Sequence, residues 1–306
     1  MRYSELEAYI WPDWTIESII GQGAYGTVYK IKREDISGTY YSAMKVLSLP
    51  ETDQKLVNDV GVELALMEKL KGNSFIVSYE DHRIVQRTDG TGWTVLIRME
   101  LLAPLTKYCS SKDFIEEDVI KLGIDICSAL EICQQENIIH RNIKTNNIFV
   151  SHYGNYKLGD FGLAQNFDVS HIDSVSKDML TYMAPEVYRG ETYDLSIDIY
   201  ALGLIMYRLL NNGRAPFVSA DLIEIRESDL IDANTRRLNG ESLPRPANAS
   251  EGMAQIIAKA CAYNSQNRYH SPTDLKLALT KLNDGDSLVQ TDNPMNEYFM
   301  KAGDLI

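Results

Sequence analysis

The spacing of apolar residues changes once along this chain, close to Leu102-Ala103-Pro104. Before that point, short runs rich in β-branched and aromatic residues are bounded by glycine-rich turns, which predicts β-strands. After it, apolar residues recur at three- and four-residue spacing over long stretches, which predicts α-helices. The sequence therefore predicts an α+β protein with a small sheet-rich domain followed by a larger helical one.

The same patterns give approximate bounds for the elements. The predicted strands are residues 15–20, 27–33, 39–47 and 93–99. One amphipathic helix, residues 53–70, interrupts them. The longer helices of the second part are residues 115–136, 196–210, 253–262 and 273–282. We assign residues 1–102 to the first domain with an N-terminal extension, 103–282 to the second domain, and 283–306 to a tail that is either a frayed linker or a short docking segment.

Composition describes an ordinary globular protein that carries a strong negative charge. Of the 306 residues, 44% are hydrophobic and 24% are charged, so the chain has enough apolar material for a sizeable core. The 43 acidic residues outnumber the 30 basic ones and give a formal charge of -13. Such a balance argues against binding to nucleic acid or to an anionic membrane surface.

Cysteine usage and hydropathy indicate a cytoplasmic protein. The four cysteines show no Cys-x-x-Cys spacing, and the histidines show no metal-ligand spacing, so we expect reduced thiols and no zinc site. The start of the chain has no apolar signal-peptide core. The longest apolar-rich run, residues 199–210, is too short to cross a bilayer and contains Arg208. We therefore expect no membrane segment in this chain.

A glycine-rich stretch lies between the first two predicted strands. Gly21-Gln22-Gly23-Ala24-Tyr25-Gly26 matches G-x-G-x-x-G, a pattern shared with dinucleotide-binding folds. In those folds the glycines open a helix, whereas here residues 27–31 continue as a strand. The glycines are therefore predicted to lie in a hairpin turn whose backbone amides can cover phosphates, although a turn without a ligand has the same pattern.

Lys45 stands in an otherwise apolar strand, Ala43-Met44-Lys45-Val46. A buried ammonium without anions is costly, so Lys45 needs a carboxylate or phosphate partner. Glu63, on the helix that follows, is a suitable partner and leaves other donors for nucleotide phosphates. The alternative is a lysine at a strand edge with its head in water.

Two polar clusters follow within the second part. The octet His140-Arg141-Asn142-Ile143-Lys144-Thr145-Asn146-Asn147 lies between a predicted helix and a strand. Its Lys144 can stabilise the charge on a transferring phosphoryl group, and its Asn147 offers a neutral oxygen to a divalent cation. Thirteen residues further on, Asp160-Phe161-Gly162 provides a carboxylate suited to Mg²⁺ that also bridges phosphates.

These elements, in this order, resemble the eukaryotic-like serine/threonine protein kinases over about residues 14–282. Further motifs carry the resemblance: Met99-Glu100-Leu101-Leu102 is similar to the gatekeeper and hinge, Ala184-Pro185-Glu186 closes an activation segment, and Asp198 and Arg268 stand at family positions. The resemblance implies a bilobal kinase fold with a β-rich N-lobe and a helical C-lobe. It also implies ATP, Mg²⁺ and protein substrates.

The family's site residues carry over position by position. The residues that would contact the nucleotide are Gly21, Gly23, Gly26, Val28, Ala43, Lys45, Met99, Glu100, Leu102, Asn147 and Asp160. Of these, Asn147 and Asp160 would hold Mg²⁺. The catalytic positions would be Lys45, Glu63, Lys144 and position 142. By resemblance, Glu186 pairs with Arg268, and Asp198 holds the backbone of the catalytic loop.

The resemblance also suggests the substrate class and the regulation. Lys144 is typical of serine/threonine kinases, while Asn146 stands where an acid would indicate a preference for basic peptides. Arg141 resembles the arginine that reads phosphorylation of the activation segment. The hydroxyl groups available there for self-phosphorylation are those of Ser170, Ser174, Ser176 and Thr181.

Two positions depart from the family pattern. Asn142 occupies the place of the aspartate that orients the substrate hydroxyl and accepts its proton. An amide has nearly the same shape but does not accept the proton, so we expect Mg-ATP binding with severely slowed transfer. Met179 replaces a threonine whose hydroxyl touches the catalytic aspartate and lysine; either the segment has drifted, or Thr181 compensates in a shifted register.

Two explanations account for an asparagine at position 142. The chain is either an active serine/threonine kinase with one deliberate change at the catalytic base, or a natural pseudokinase that serves as an ATP-binding signalling scaffold. A relaxed pseudokinase would also lose phosphate and metal ligands, yet the other catalytic and metal positions retain their residue types. That retention favours an active parent, while Met179 favours the scaffold.

Overall fold

The structure is a computed structural model of the chain. It describes residues 6–23, 26–87, 89–109, 113–161 and 177–285, with the side chains of 177–179 left out. Ser170, Ser174, Ser176, the Met179 side chain and nearly all of the predicted tail lie outside the described residues.

The chain divides into two compact units. The N-terminal unit comprises Met1–Ala103 and Phe149–Gln165, and the C-terminal unit comprises Pro104–Ile148 and Asn166–Ile306. The sequence alone had given the whole of 103–282 to one domain, and those lobe boundaries stay a prediction. Residues 149–161 group with the N-terminal unit because they bond to it. Leu158 forms a parallel bridge with Ile76, and the Lys157 ammonium lies 2.6 Å from Glu100 Oε1.

The N-terminal unit is built on one antiparallel sheet of five strands in the order β1-β2-β3-β5-β4. Its strands are β1 (Trp14–Gly23), β2 (Gly26–Asp35), β3 (Gly38–Pro50), β4 (Tyr79–Gln86) and β5 (Gly92–Glu100). The four strands predicted from sequence are confirmed. The edge strand β4 was missed because its sequence, YEDHRIVQ, is mostly charged or polar, as exposed edge strands often are.

Helix α1 (Gln54–Lys69) covers one face of this sheet. It begins at Asp53, whose side chain accepts the Leu56 backbone N–H at 2.9 Å and so caps an otherwise unpaired donor. Val60 and Leu64 of the helix pack with Val95 and Ile97 of β5. The buried side of α1 also contains Glu63, which directs a carboxylate toward the sheet.

The N-terminal segment, residues 6–14, packs on the opposite face. Leu6, Trp11 and Trp14 form a buried cluster with Leu96, whose neighbours Val95 and Ile97 face α1, because side chains alternate along a strand. The indole N–H of Trp11 donates to Asp81 Oδ2 at 2.6 Å. The sheet is therefore buried on both faces.

Three short strands follow: β6 (Ala103–Pro104), β7 (Ile148–Val150) and β8 (Tyr156–Leu158). Strands β7 and β8 are neighbours in a small sheet. Residues 151–155 connect them closely, with the Ser151 N–H donating to the Asn155 carbonyl at 2.9 Å. This connection places Asp160 two residues beyond the end of β8.

The C-terminal unit is helical. Its helices are α2 (Leu105–Cys109), α3 (Glu116–Gln135), α4 (Lys177–Tyr182), α5 (Pro185–Tyr188), α6 (Ser196–Leu209), α7 (Glu227–Leu238), α8 (Glu251–Ala260) and α9 (Pro272–Asn283). The four long helices predicted from sequence correspond to α3, α6, α8 and α9. Helix α6 is apolar almost all round and buried, as expected for a central helix. At Gly203 a Cβ would lie 2.6 Å from the Cys261 sulfur, so α6 requires glycine there.

Candidate active site

The predicted site residues fall in both units, and each is described within its own unit. In the N-terminal unit the glycine motif forms the end of the β1–β2 hairpin, with Gly21 opposite Val28 and Gly23 opposite Gly26. The hairpin prediction is therefore confirmed. Gly26 has a φ of +143°, and a Cβ there would lie 2.2 Å from the Val46 carbonyl oxygen, so no larger residue fits.

Four of the predicted nucleotide-contact residues share one face of the sheet. Ala43 and Lys45 are two residues apart on β3 and so face the same way. Val28 lies directly opposite Lys45 on β2, and Met99 lies directly opposite Ala43 on β5. The register thus brings together residues separated by about seventy positions in the sequence, on the face that α1 also covers.

Lys45 has two carboxylate partners. Its Nζ lies 2.9 Å from Glu63 Oε1 and 3.5 Å from Asp160 Oδ1, and the Lys45 and Glu63 side chains are only 17% and 6% exposed. Burial by itself lowers the pKa of Lys45, but the nearby Asp160 and Glu63 carboxylates outweigh it and raise the pKa above 10.5. Lys45 is therefore a fixed cation. The contact with Glu63 was predicted from sequence, and the contact with Asp160 was not.

Asp160 adopts an uncommon backbone conformation, with a φ of 61°. Non-glycine residues in this left-handed region are concentrated at functional sites. The next residue, Phe161, is buried and anchors the chain directly after Asp160. The carboxylate is thus held beside Lys45 by the backbone as well as by the ion pair.

Glu100, at the end of β5, is tied down within the N-terminal unit. Its Oε1 accepts the Ser78 backbone N–H at 2.6 Å and lies 2.6 Å from the Lys157 ammonium. Its own backbone N–H donates to the Ser78 carbonyl at 3.0 Å. These contacts fix the strand just before Leu102, the last residue of the predicted hinge.

The loop predicted to be catalytic, residues 140–147, lies in the C-terminal unit and is held by Asp198 of α6. The backbone N–H groups of His140 and Arg141 donate to the two oxygens of Asp198 at 2.7 Å and 2.9 Å. Arg141 has a φ of 62°, so the loop turns sharply between these donors. The role expected for Asp198 is confirmed. Burial raises its pKa to about 7, although the two backbone N–H groups and the Arg141 charge act to lower it.

Asn142 and Asn147 are joined inside this loop. The Asn147 side-chain amide donates to the Asn142 backbone carbonyl at 2.8 Å, and both residues are buried. Since the amide nitrogen serves this bond, the oxygen is the atom that Asn147 can offer to a cation. Lys144 precedes the short 3-10 helix Thr145–Asn147.

The segment around Tyr182 is held by arginines that the sequence analysis missed. Arg237 of α7 is 3% exposed and donates to the Leu180 carbonyl at 2.7 Å and the Met183 carbonyl at 2.6 Å. Arg208 of α6 donates to the Tyr182 hydroxyl at 3.0 Å. The acceptors are backbone carbonyls and a phenol, so no pairing of opposite charges in the sequence indicates these contacts. Only the burial of the arginines could have indicated them.

The pairing predicted between Glu186 and Arg268 is confirmed, with both Arg268 terminal nitrogens bonded to the carboxylate at 2.5 Å and 2.7 Å. Among the described residues, the buried Nε of Arg141 has no hydrogen-bond partner. Its expected role in reading a phosphate stays a prediction.

Within the described residues, no cluster of three or more acidic, histidine or cysteine side chains is suited to a metal ion. Every described helix is too short or too polar to span a bilayer.

The sequence matches the model of the protein kinase domain over residues 14–277. The chain belongs to the protein kinase family. The predicted resemblance to the eukaryotic-like serine/threonine kinases and the predicted fold, a β-rich lobe and a helical lobe, are both confirmed.

Several curated kinases are similar to this kinase domain. It is 31% identical over 197 residues to a probable serine/threonine-protein kinase PknB of Bifidobacterium longum, covering 61% of this chain and 27% of that protein. It is 28% identical over 214 residues to the serine/threonine-protein kinase AtPK2/AtPK19 of Arabidopsis thaliana, covering 68% of this chain and 43% of that protein. A probable myosin light chain kinase of Dictyostelium discoideum is 31% identical over 220 residues, covering 71% of this chain and 44% of that protein. The chain thus spans less than half the length of these relatives.

Proposed function

We propose that this chain is a serine/threonine protein kinase domain that binds Mg-ATP and transfers the γ-phosphate to protein hydroxyls, with transfer slowed by Asn142. The observation that carries the proposal is the contact of Lys45 with Glu63 at 2.9 Å and with Asp160 at 3.5 Å. A largely buried ammonium fixed by two carboxylates is the arrangement that kinases use to hold nucleotide phosphates and their metal.

The residues present suit the nucleotide and the metal. Gly26, which tolerates no side chain, belongs to the hairpin whose amides would cover the phosphates. Asp160 and Asn147 offer carboxylate and amide oxygens, the hard ligands that Mg²⁺ prefers. When bound, Mg²⁺ neutralises charge on the phosphates. Backbone groups of the hinge, Met99 to Leu102, would pair with the base.

The catalytic loop would position the acceptor. Lys144 would stabilise charge on the transferring phosphoryl group. The Asn142 amide oxygen can accept a hydrogen bond from the substrate hydroxyl and so orient it, but it does not take the proton. Loss of a general base typically costs about 10² to 10⁴ in rate. Because phosphoryl transfer depends chiefly on positioning and charge, we expect residual transfer rather than none.

The second candidate is a natural pseudokinase that acts as an ATP-binding signalling scaffold. It is favoured by Asn142, a buried residue whose amide cannot ionise, at the position where the family has the catalytic base. Both candidates predict nucleotide binding, so only phosphate transfer separates them. For either, we propose protein partners and a cytoplasmic location. For the kinase, we also propose self-phosphorylation in the activation segment.

The deciding experiment compares this chain with its Asn142→Asp variant in transfer of γ-labelled phosphate from Mg-ATP, to itself and to a generic protein acceptor. We expect the variant to label itself or the acceptor about 10² to 10⁴ times faster than this chain. A Lys45→Met, Asn142→Asp double variant is the matched control and should lose the label.

Transfer by neither protein, with both still binding ATP, would favour the scaffold and assign the defect to Met179 or to wider drift of the segment. Equal transfer by both proteins would show that Asn142 does not limit the reaction.

A further inference from the structure

A guanidinium beside the catalytic loop has only neutral partners among the described residues. Arg208 lies in the last turn of α6 and is half-buried. It donates to the Tyr182 hydroxyl at 3.0 Å and to the Gly213 carbonyl at 3.3 Å, and it stacks on the Tyr182 ring at 5.5 Å. These contacts fix the side chain without neutralising its charge.

Tyr182 links this guanidinium to the loop that carries the proposed catalysis. Its hydroxyl lies 3.3 Å from the Thr145 hydroxyl, and Thr145 directly follows Lys144. Two hydrogen bonds therefore separate Arg208 from the loop. The tyrosine that joins them is buried, which limits the positions that the guanidinium can take relative to the loop.

Three stretches of the chain that contribute to this network contain no acid, although the protein as a whole carries a charge of -13. Residues 137–150, 179–185 and 199–220 contain neither Asp nor Glu. Among the described side chains, the Glu186 carboxylate pairs with Arg268, and the Asp198 carboxylate accepts backbone N–H groups of the loop. Arg208 and Lys144 thus place two positive charges on stretches of sequence that contain no acid.

We propose that Arg208 binds an acidic side chain of the protein substrate, close to the hydroxyl that receives the phosphate. This inference rests on the proposed function and names its substrate class. The planar guanidinium fork matches a carboxylate or a phosphate, and donors not used by Tyr182 and Gly213 remain to bind it. The acidic group is either an Asp or Glu side chain or a residue already phosphorylated.

The test measures peptide binding, which needs no phosphate transfer. Four fluorescent serine peptides, identical except for flanking alanine, aspartate, phosphoserine or arginine, are titrated into this chain with Mg²⁺ and a non-hydrolysable ATP analogue. A partly exposed ion pair is worth up to about 1 kcal/mol, so we expect the aspartate peptide to bind up to about fivefold more tightly than the alanine peptide. Tighter binding of the phosphoserine peptide alone would identify a phosphorylated residue as the ligand.

Three variants assign the effect to Arg208. Arg208→Ala should bind the aspartate and alanine peptides equally, and Arg208→Glu should prefer the arginine peptide. Arg236→Ala is the matched control, because Arg236 of α7 is a half-buried arginine that pairs with Glu241 and not with Tyr182. It should keep the preference. Thermal unfolding of each variant checks folding, and Arg208→Lys, which retains the charge, replaces Arg208→Ala if that variant unfolds; it should keep a reduced preference.

The proposal is overturned if this chain binds all four peptides equally, or if the acidic preference survives in Arg208→Ala or Arg208→Glu. These outcomes are independent of the proposed function. An Arg208-dependent preference in a protein whose Asn142→Asp variant transfers no phosphate would retain the binding site and reject the kinase. Phosphate transfer without any preference for the acidic peptides would support the kinase and reject the binding site.

Discussion

Of the two carboxylate contacts of Lys45, one could be predicted from the sequence and the other could not. The sequence predicted that an ammonium in an apolar strand requires an anion and identified Glu63, because both the strand and the helix are readable from periodicity. It did not identify the Asp160 contact, because the register that brings β8 beside the N-terminal strands is set by long-range pairing such as Ile76 with Leu158. Local patterns carry no record of that pairing.

Glu63→Gln should weaken nucleotide binding. The amide keeps the shape but removes one of two charges that hold Lys45, so the pKa of Lys45 falls and its position loosens. Charge-assisted hydrogen bonds are worth about 1.5–3 kcal/mol, which predicts a Kd for Mg-ATP raised at least tenfold. Titration with a fluorescent ATP analogue measures it. Glu68→Gln, on the exposed side of the same helix, should leave the Kd unchanged, and an equal effect of both changes would contradict the assignment.

Asp198 predicts a pH dependence of stability. Its pKa rises from 3.8 to about 7 on folding, so between these values the folded state holds the proton more tightly than the unfolded state. This group's contribution to the free energy of unfolding therefore falls as pH rises through that window, by up to about 1.4 kcal/mol per pH unit. Carbon-13 NMR of the Asp198 carboxyl should show a midpoint near 7. A midpoint near 4 would show that the backbone N–H donors outweigh burial.

At the scale of elements, the sequence predicted the helices and strands that contain a regular pattern of apolar residues. The hairpins and three of the long helices were found because each has one apolar face, and α6 was found because it is apolar almost all round. Helix α7 was missed because its buried residues are few and include Arg237. The sequence EIRESDLIDANTRRL therefore reads as a polar stretch. Its contribution to the fold is made through hydrogen bonds to backbone carbonyls of another segment, and such partners cannot be inferred from residue types.

Arg237→Met should loosen the segment at 180–183. The change removes both bonds to the Leu180 and Met183 carbonyls and leaves buried acceptors unpaired, at about 1–3 kcal/mol each. We expect faster amide hydrogen exchange in this segment and a lower free energy of unfolding, measured with urea. Arg236→Ala, at the neighbouring half-buried position, removes a surface ion pair with Glu241 and should lower the free energy by less than about 1 kcal/mol. Unchanged exchange in Arg237→Met would show that α7 does not hold the segment.

At the scale of the whole molecule, the N-terminal unit extends beyond the family pattern. The kinase domain match begins at residue 14, yet Leu6 and Trp11 are buried against the sheet. Arg98 stacks on Trp11 at 4.7 Å and on Trp14 at 5.0 Å, and Arg83 donates to the Ile10 carbonyl at 2.7 Å. The pair of tryptophans was visible in the sequence, but its packing partners on β4 and β5 were not.

Trp11→Ala should therefore destabilise the unit. Removing a buried tryptophan typically costs about 3–5 kcal/mol, and here the hydrogen bond to Asp81 is lost as well. Urea unfolding followed by circular dichroism measures the change. Ile36→Ala, at a fully exposed position in the β2–β3 turn, is the matched control and should have little effect. A small effect of Trp11→Ala would mean that residues 6–13 are dispensable for the sheet.

The division of the chain into units also bears on how the protein is made. Residues 149–161 complete the N-terminal unit, so the ribosome must synthesise α2, α3 and the catalytic loop before that unit has all its parts. The first hundred residues emerge without Lys157 for Glu100 and without Asp160 for Lys45. Vectorial synthesis therefore cannot finish one unit before starting the next, and a fragment ending at Ala103 would leave Lys45 with one of its two anions missing.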